Sequence, residues 1–174
     1  FNMSGDAAII GNDARGSGAG VVLAGSVLEM SGNARIAGNT GYGVSVSFTD
    51  KGSSFTMSGS AAITGNTSGG VEMSSGGAKR LPSSFTVSGN VQITGNTKKD
   101  TPNNVYLEKV YDKEEVVTIT IGEGGLGTNA RMGVTTAIEP EGETQVQFAI
   151  GAASDPDYTK IITSDDDTYE VAYG

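Results

Sequence analysis

The chain has 174 residues, with 27 glycines, four prolines and neither cysteine nor tryptophan; this excludes a disulfide scaffold and a proline-rich polymer and makes internal repeats the first thing to seek. Its net charge of -9 sits at one end: residues 1–104 hold seven Lys/Arg against six Asp/Glu, residues 105–174 four against fourteen. Such a balance disfavours nucleic acid and anionic membrane surfaces, no stretch is apolar enough to span a bilayer, and without His or Cys the imidazole bases, thiol nucleophiles and usual zinc sites are excluded.

The first residues, Phe1 to Gly5, already lie inside a repeat. They have neither the basic start nor the apolar run of a signal peptide, the pattern expected of a monomeric fragment of a longer chain cut at a unit boundary. One unit occurs four times: Phe1-x-Met3-Ser4-Gly5, Leu28-x-Met30-Ser31-Gly32, Phe55-x-Met57-Ser58-Gly59 and Phe85-x-Val87-Ser88-Gly89, starting 27, 27 and 30 residues apart. Each continues to Ile9-Ile10-Gly11-Asn12, Ile36-Ala37-Gly38-Asn39, Ile63-Thr64-Gly65-Asn66 or Ile93-Thr94-Gly95-Asn96. A third segment follows, beginning Gly20-Val21, Gly43-Val44, Gly70-Val71 or Asn104-Val105.

Within every segment apolar residues alternate with small or polar ones, the period of a strand with one buried face. Three strands so short, recurring at a fixed offset, suit one turn of a three-sided coil. The fold expected is therefore all-β, a right-handed parallel β-helix (β-solenoid) of about six coils of about 27 residues, stacked at about 4.8 Å to roughly 30 Å. The fixed Gly and Asn residues fall at corners, where positive φ is needed. Stacked Asn12, Asn39, Asn66 and Asn96 are expected to pass amide hydrogen bonds from coil to coil.

From each Asn to the following Val the gap is nine, five, five and nine residues, and from that Val to the next Phe or Leu it is seven, eleven and fourteen. Length therefore varies in two loops while the framework keeps phase. The longest excursions, Ser74–Ser84 and Thr97–Asn103, carry Lys79, Arg80, Lys98 and Lys99: solvated loop charge, or a small basic patch. Residues 1–104 thus form the regular repeats. In 105–174 the pattern fades, with alternation in Val116–Ile121, Arg131–Thr135, Gln145–Ile150, Lys160–Thr163 and Tyr169–Tyr173. Degenerate closing coils and an acidic C-terminal cap are expected, with Pro140 and Pro156 helping to block edge pairing.

The run Phe55-Thr-Met-Ser-Gly-Ser-Ala-Ala-Ile-Thr-Gly-Asn resembles the right-handed parallel β-helix repeats of large bacterial cell-surface, adhesin-like proteins, related in style to the chlamydial polymorphic outer-membrane proteins. The resemblance covers nearly the whole chain. It extends to a closing Tyr-x-x-Ile, here Tyr158 to Ile161, and a Ser-Asp-x-x-x-Tyr, here Ser164-Asp165 to Tyr169. It departs from the chlamydial pattern in lacking repeated F-x-x-N tetrapeptides, and such coils serve adhesins, stalks and enzymes alike.

No catalytic, cofactor or metal site is assigned from the residues. Outward strand positions such as Asn2, Glu29, Thr56 and Thr86 bring no two carboxylates into line, and Glu29 and Glu72 fall on different segments. Asp155, Asp157 and Asp165-Asp166-Asp167 offer hard oxygen ligands, yet lack the order of a calcium loop. The reading is a non-enzymatic structural or adhesive segment of a secreted or wall-attached bacterial surface protein, displaying variable loops, with host glycans or surface proteins as partners. The alternative is a carbohydrate-active, pectate-lyase-like enzyme or a glycan-binding accessory module.

Overall fold

The computed structural model describes residues 1–13, 18–47, 49–75, 81–142, 145–151 and 158–172. Segments of alternating character become strands because successive side chains leave the backbone on opposite faces, one row entering the core and the other meeting solvent. The strands are β1 Asn2–Met3, β2 Ala8–Ile10, β3 Ala19–Ala24, β4 Val27–Met30, β5 Arg35–Ala37, β6 Tyr42–Ser47, β7 Ser54–Met57, β8 Ala62–Thr64 and β9 Val71–Met73. They continue as β10 Ser84–Gly89, β11 Gln92–Thr94, β12 Thr97–Lys98, β13 Thr101–Pro102, β14 Val105–Leu107, β15 Ile119–Leu126, β16 Arg131–Thr136, β17 Ala149–Gly151 and β18 Ile162–Ser164. Among the described residues the one helical element is a 3-10 turn, Tyr158–Lys160.

The protein is thus all-β, and its main sheets are parallel. The first sheet runs β1-β4-β7-β10-β15-β17. The second runs β2-β5-β8-β11-β16-β14-β9-β6-β3, nearly closing on itself, with β18 added to β16. Both arms of this sheet meet in β16: Arg131 and Met132 pair with Gln92 and Ile93 of β11, whereas Val134–Thr136 pair with Val105–Leu107 of β14. Pairing joins each residue to its equivalent in the next repeat, as in Leu28 to Phe55, Phe55 to Phe85, Ile36 to Ile63 and Val44 to Val71. Each of the first four units supplies one strand to the first sheet and one to each arm of the second.

Equivalent residues facing inward build continuous files. Leu28, Phe55, Phe85 and Ile119 form one, and all four are fully buried. The Phe55 and Phe85 rings stack with centroids 4.8 Å apart and planes 8° from parallel, a separation set by the strand spacing itself. Met30, Met57 and Val87 form a second file, and Ile36, Ile63, Ile93 and Met132 a third.

The corners follow the glycines. Gly5, Gly32, Gly59 and Gly89 have φ of +58, +65, +68 and +73°, and Gly11, Gly38, Gly65 and Gly95 have +67, +62, +65 and +66°, a region closed to most L side chains. No asparagine in the described residues has positive φ, so the corner asparagines are retained for their side chains. Asn12 donates both its backbone N–H and its Nδ2 to Asn39 Oδ1, each at 2.9 Å. Asn39 does the same to Asn66 at 3.0 and 2.9 Å, Asn66 to Asn96 at 3.1 and 2.9 Å, and Asn96 to Asn104 at 3.0 and 3.1 Å. Asn39, Asn66 and Asn96 have no solvent exposure.

After Asn104 the strands only partly follow the alternation: β15 begins at Ile119 rather than Val116, β17 at Ala149 rather than Gln145, and Lys160 lies in the 3-10 turn ahead of β18. Strands form at β15, β16, β17 and β18, but Tyr169–Ala172 form none; Tyr173 lies outside the described residues, as does Pro156. The cause is local: Tyr169 N–H donates to Asp166 C=O and the Asp166 carboxylate holds Thr168, closing turns that compete with a ladder.

Two substitutions test this account by chemical denaturation. Phe85→Ala removes a stacked, buried ring and is expected to cost about 3–5 kcal/mol. Asn66→Ala strands two buried Asn39 donors and is expected to cost about 2–4 kcal/mol; a loss below about 0.5 kcal/mol for Asn66→Ala would show that the amide column carries no stability.

Candidate functional site

Residues at one register position of successive repeats meet on the outer surface of the second sheet's β3-β6-β9-β14 arm. Tyr42, Gly69 and Asn103 occupy equivalent places, two residues before Val44, Val71 and Val105, which pair in turn. Three residues further along each strand come Ser45, Glu72 and Tyr106, also directly paired. Gly69, at φ +123°, leaves the slot between its neighbours open: a Cβ there would lie 2.5 Å from Tyr42 Cε1 and 2.6 Å from Asn103 Oδ1. Tyr42 and Asn103 therefore converge over Gly69 from opposite sides.

The excursion after Asn96 folds onto this surface. Thr97–Lys98 and Thr101–Pro102 pair antiparallel as a minimal hairpin. Its turn residues Lys99 and Asp100 both have positive φ, 53 and 65°, the geometry of a type I′ turn and an uncommon one for residues other than glycine. Lys98, itself exposed, lays its side chain back against the sheet surface. Its Nζ donates to the Tyr42 hydroxyl at 2.9 Å and lies 5.5 Å from both the Tyr42 and the Tyr106 ring centroids. Glu72 lies beside them, its Oε2 accepting from Ser45 Oγ at 2.9 Å.

Tyr42 is buried, and its phenol is pushed well above the ordinary value, chiefly by burial and then by the neighbouring Glu72 carboxylate, both by charge and by hydrogen bonding. Asn103 is 7% exposed, and its carbonyl oxygen is buried with no hydrogen-bond partner among the described residues. An unmet buried acceptor costs about 1–3 kcal/mol.

The carboxylates proposed from the sequence fare differently. Asp165, half-buried, ends the asparagine column: Asn104 N–H donates to its Oδ2 at 2.6 Å, Asn104 Nδ2 to its Oδ1 at 2.5 Å and Thr135 Oγ1 to its Oδ2 at 3.2 Å. Gly133 makes room for it, since any Cβ there would collide with Asp165 Oδ1 and Asn104 Nδ2. Asp166 turns instead to Thr168, whose hydroxyl and N–H hold its carboxyl below the usual range. Asp165 and Asp166 are thus spent on separate local tasks. Asp155 and Asp157 lie outside the described residues, as do Lys79 and Arg80, so the basic patch is represented by the hairpin alone, and there Lys98 faces two tyrosines.

A second acidic feature is a cleft of about 730 Å³ edged by Glu114, Glu115, Glu139 and Glu141. Two of these already pair with lysines, Glu114 with Lys109 at 2.6 Å and Glu115 with Lys113 at 3.6 Å. Among the described residues no three acidic side chains are placed to hold a metal ion. Asn66, in a glycosylation-type triplet, is sealed in the column with both amide hydrogens engaged.

The closing residues Tyr158 and Ile161 are both buried in the main core. The tyrosine–lysine cluster was missed from the sequence, although one signal was present: Tyr42 is the single bulky residue at a position otherwise held by Ala19, Gly69 and Asn103. Comparison with protein-family models, curated proteins and solved structures gives no match.

The Tyr42 environment makes a pH prediction. The unfolded phenol ionises near pH 10, whereas the folded one keeps its proton to higher pH. Its contribution to stability is therefore complete below about pH 10 and is lost as pH rises toward the folded value. Denaturation midpoints measured between about pH 9 and about pH 11.5 should fall more steeply for the natural chain than for Tyr42→Phe; parallel slopes would contradict this.

Proposed function

We propose that this chain is a right-handed parallel β-helix and a structural, adhesive segment of a secreted or wall-attached bacterial surface protein, holding variable loops at fixed positions. The observation that carries this reading is the division of labour along the repeat. Inward side chains and corner amides are consumed by the core and the asparagine column. Length changes fall between strands, as in the hairpin Thr97–Pro102, while strand register is kept from unit to unit. A framework of this kind tolerates insertion at corners, since doubling a loop adds only about 0.6 kcal/mol of closure cost. The resemblance to bacterial surface repeats supports the same assignment.

Two measurements test it. A Gly/Ser insert of about ten residues between Lys99 and Asp100 should cost only about 1–2 kcal/mol, while the same insert within Ala62–Thr64 should abolish cooperative unfolding; equal damage at both sites contradicts a display framework. The purified chain should release no reducing ends or unsaturated products from pectin, polygalacturonate or mucin, with or without calcium. Sustained release would overturn the reading in favour of a carbohydrate-active enzyme.

A further inference from the structure

We propose that the cluster of Tyr106, Glu72, Lys98 and Tyr42 is a binding site for a neutral pyranose sugar. This rests on the adhesive reading and names the chemistry of its ligand. Four observations converge. Tyr106 is a half-buried aromatic ring on a flat sheet face, flanked in register by Glu72 and Thr135, and aromatic rings offer stacking surface to the apolar C–H face of a pyranose. Glu72 is a carboxylate acceptor whose orientation is set by the Ser45 hydroxyl at 2.9 Å. Lys98 is a donor held in place by the Tyr42 hydroxyl at 2.9 Å, with further N–H groups to offer. Adjacent sugar hydroxyls, each both donor and acceptor, match a carboxylate and an ammonium set side by side.

The fourth observation is independent of these side chains. The Asn103 carbonyl oxygen, in a side chain more than nine-tenths buried, has no partner among the described residues and faces the Tyr42 ring across Gly69. It is closed to solvent as the side chains stand, and a sugar hydroxyl that displaces the side chains covering it would supply the missing donor. Charge separates this ligand from two others. Glu72 and Lys98 cancel, so the cluster has no excess charge to select an ion. The place between the two rings where a quaternary ammonium would be recognised is already filled by Lys98, 5.5 Å from each centroid.

With no tryptophan in the chain, emission comes from six tyrosines, two of them in the site, so the fluorescence change lost in Tyr106→Ala is the part read, and saturation-transfer NMR reads ligand contact directly. The probes are the methyl glycosides of glucose, galactose, mannose and N-acetylglucosamine, with choline and N-acetylneuraminic acid as cationic and anionic comparators. At least one neutral glycoside should bind, and Tyr106→Ala, Glu72→Gln and Lys98→Met should each weaken it at least about tenfold, equivalent to about 1.4 kcal/mol. Thr86→Ala, on the first sheet, should leave it unchanged. Far-UV circular dichroism checks that each variant is folded; if Tyr106→Ala is not, the milder Glu72→Gln decides. Binding of choline alone or of N-acetylneuraminic acid alone overturns the proposal, as does neutral-sugar binding indifferent to Glu72→Gln and Lys98→Met, or no binding at all. None of these outcomes touches the loop-insertion and depolymerisation tests, so a failed sugar site and a failed display role are told apart.

Discussion

Asn39, Asn66 and Asn96 are shut off from water where their repeats turn out of the second strand, so each of these amides must find its partners inside the protein. The asparagine column meets that constraint by a rule applied at every step: one side-chain oxygen accepts two N–H groups from the unit before, and the same residue passes two N–H groups to the unit after. Other features answer to this rule. Units must stack in register, because a slip of one residue would remove an amide from line and turn each core side chain to the outside. Gly43 and Gly70 must be glycine, since a Cβ at either would press on Asn66 Nδ2 or Asn96 Nδ2 at 2.9 and 2.7 Å.

The hydrophobic files depend on the same register from the other side. Face-to-face rings such as Phe55 and Phe85 are not the preferred arrangement of free aromatics, and their near-parallel stack at 4.8 Å follows from backbone pairing rather than from ring attraction. Core and column therefore enforce one translation. The outer surface is released from it, and there a bulky Tyr42 can occupy a glycine-sized position because Gly69 above it supplies the space.

The parallel strand framework was legible in the sequence because it is periodic: each Phe, Met, Ile and Val announced its neighbour by its spacing, and each corner glycine was marked by recurrence. What escaped detection is non-periodic. Asp165 meets Asn104 across a sequence separation of 61 residues, and no local pattern distinguishes it from Asp166 or Asp167. Asn104 was read as the first residue of a strand, though it also takes over the column from Asn96 eight residues earlier. The acidic end drew attention for its charge, whereas Asp165 acts as a half-buried acceptor. Lys98 was read as solvated loop charge or part of a small basic patch; it is exposed, and only folding of the hairpin brings its ammonium to two rings contributed by units far apart in sequence.

Asp165 also gives the column a direction and an end. From Asn12 to Asn104 each residue gives its backbone N–H and one Nδ2 hydrogen to the next member of the column, so these bond dipoles add, as they do along an α-helix, while the second Nδ2 hydrogen of Asn39, Asn66 and Asn96 returns to the C=O of Ile9, Ile36 and Ile63. The positive end of that sum meets a carboxylate. An asparagine accepts and then donates, and so hands the pattern on; an ionised aspartate only accepts. The residue that satisfies the last amide is thus also one that cannot continue the series. In a polymer of repeats this is how a chain-terminating unit works, and a single oxygen-for-nitrogen exchange between Asn and Asp is enough to write it.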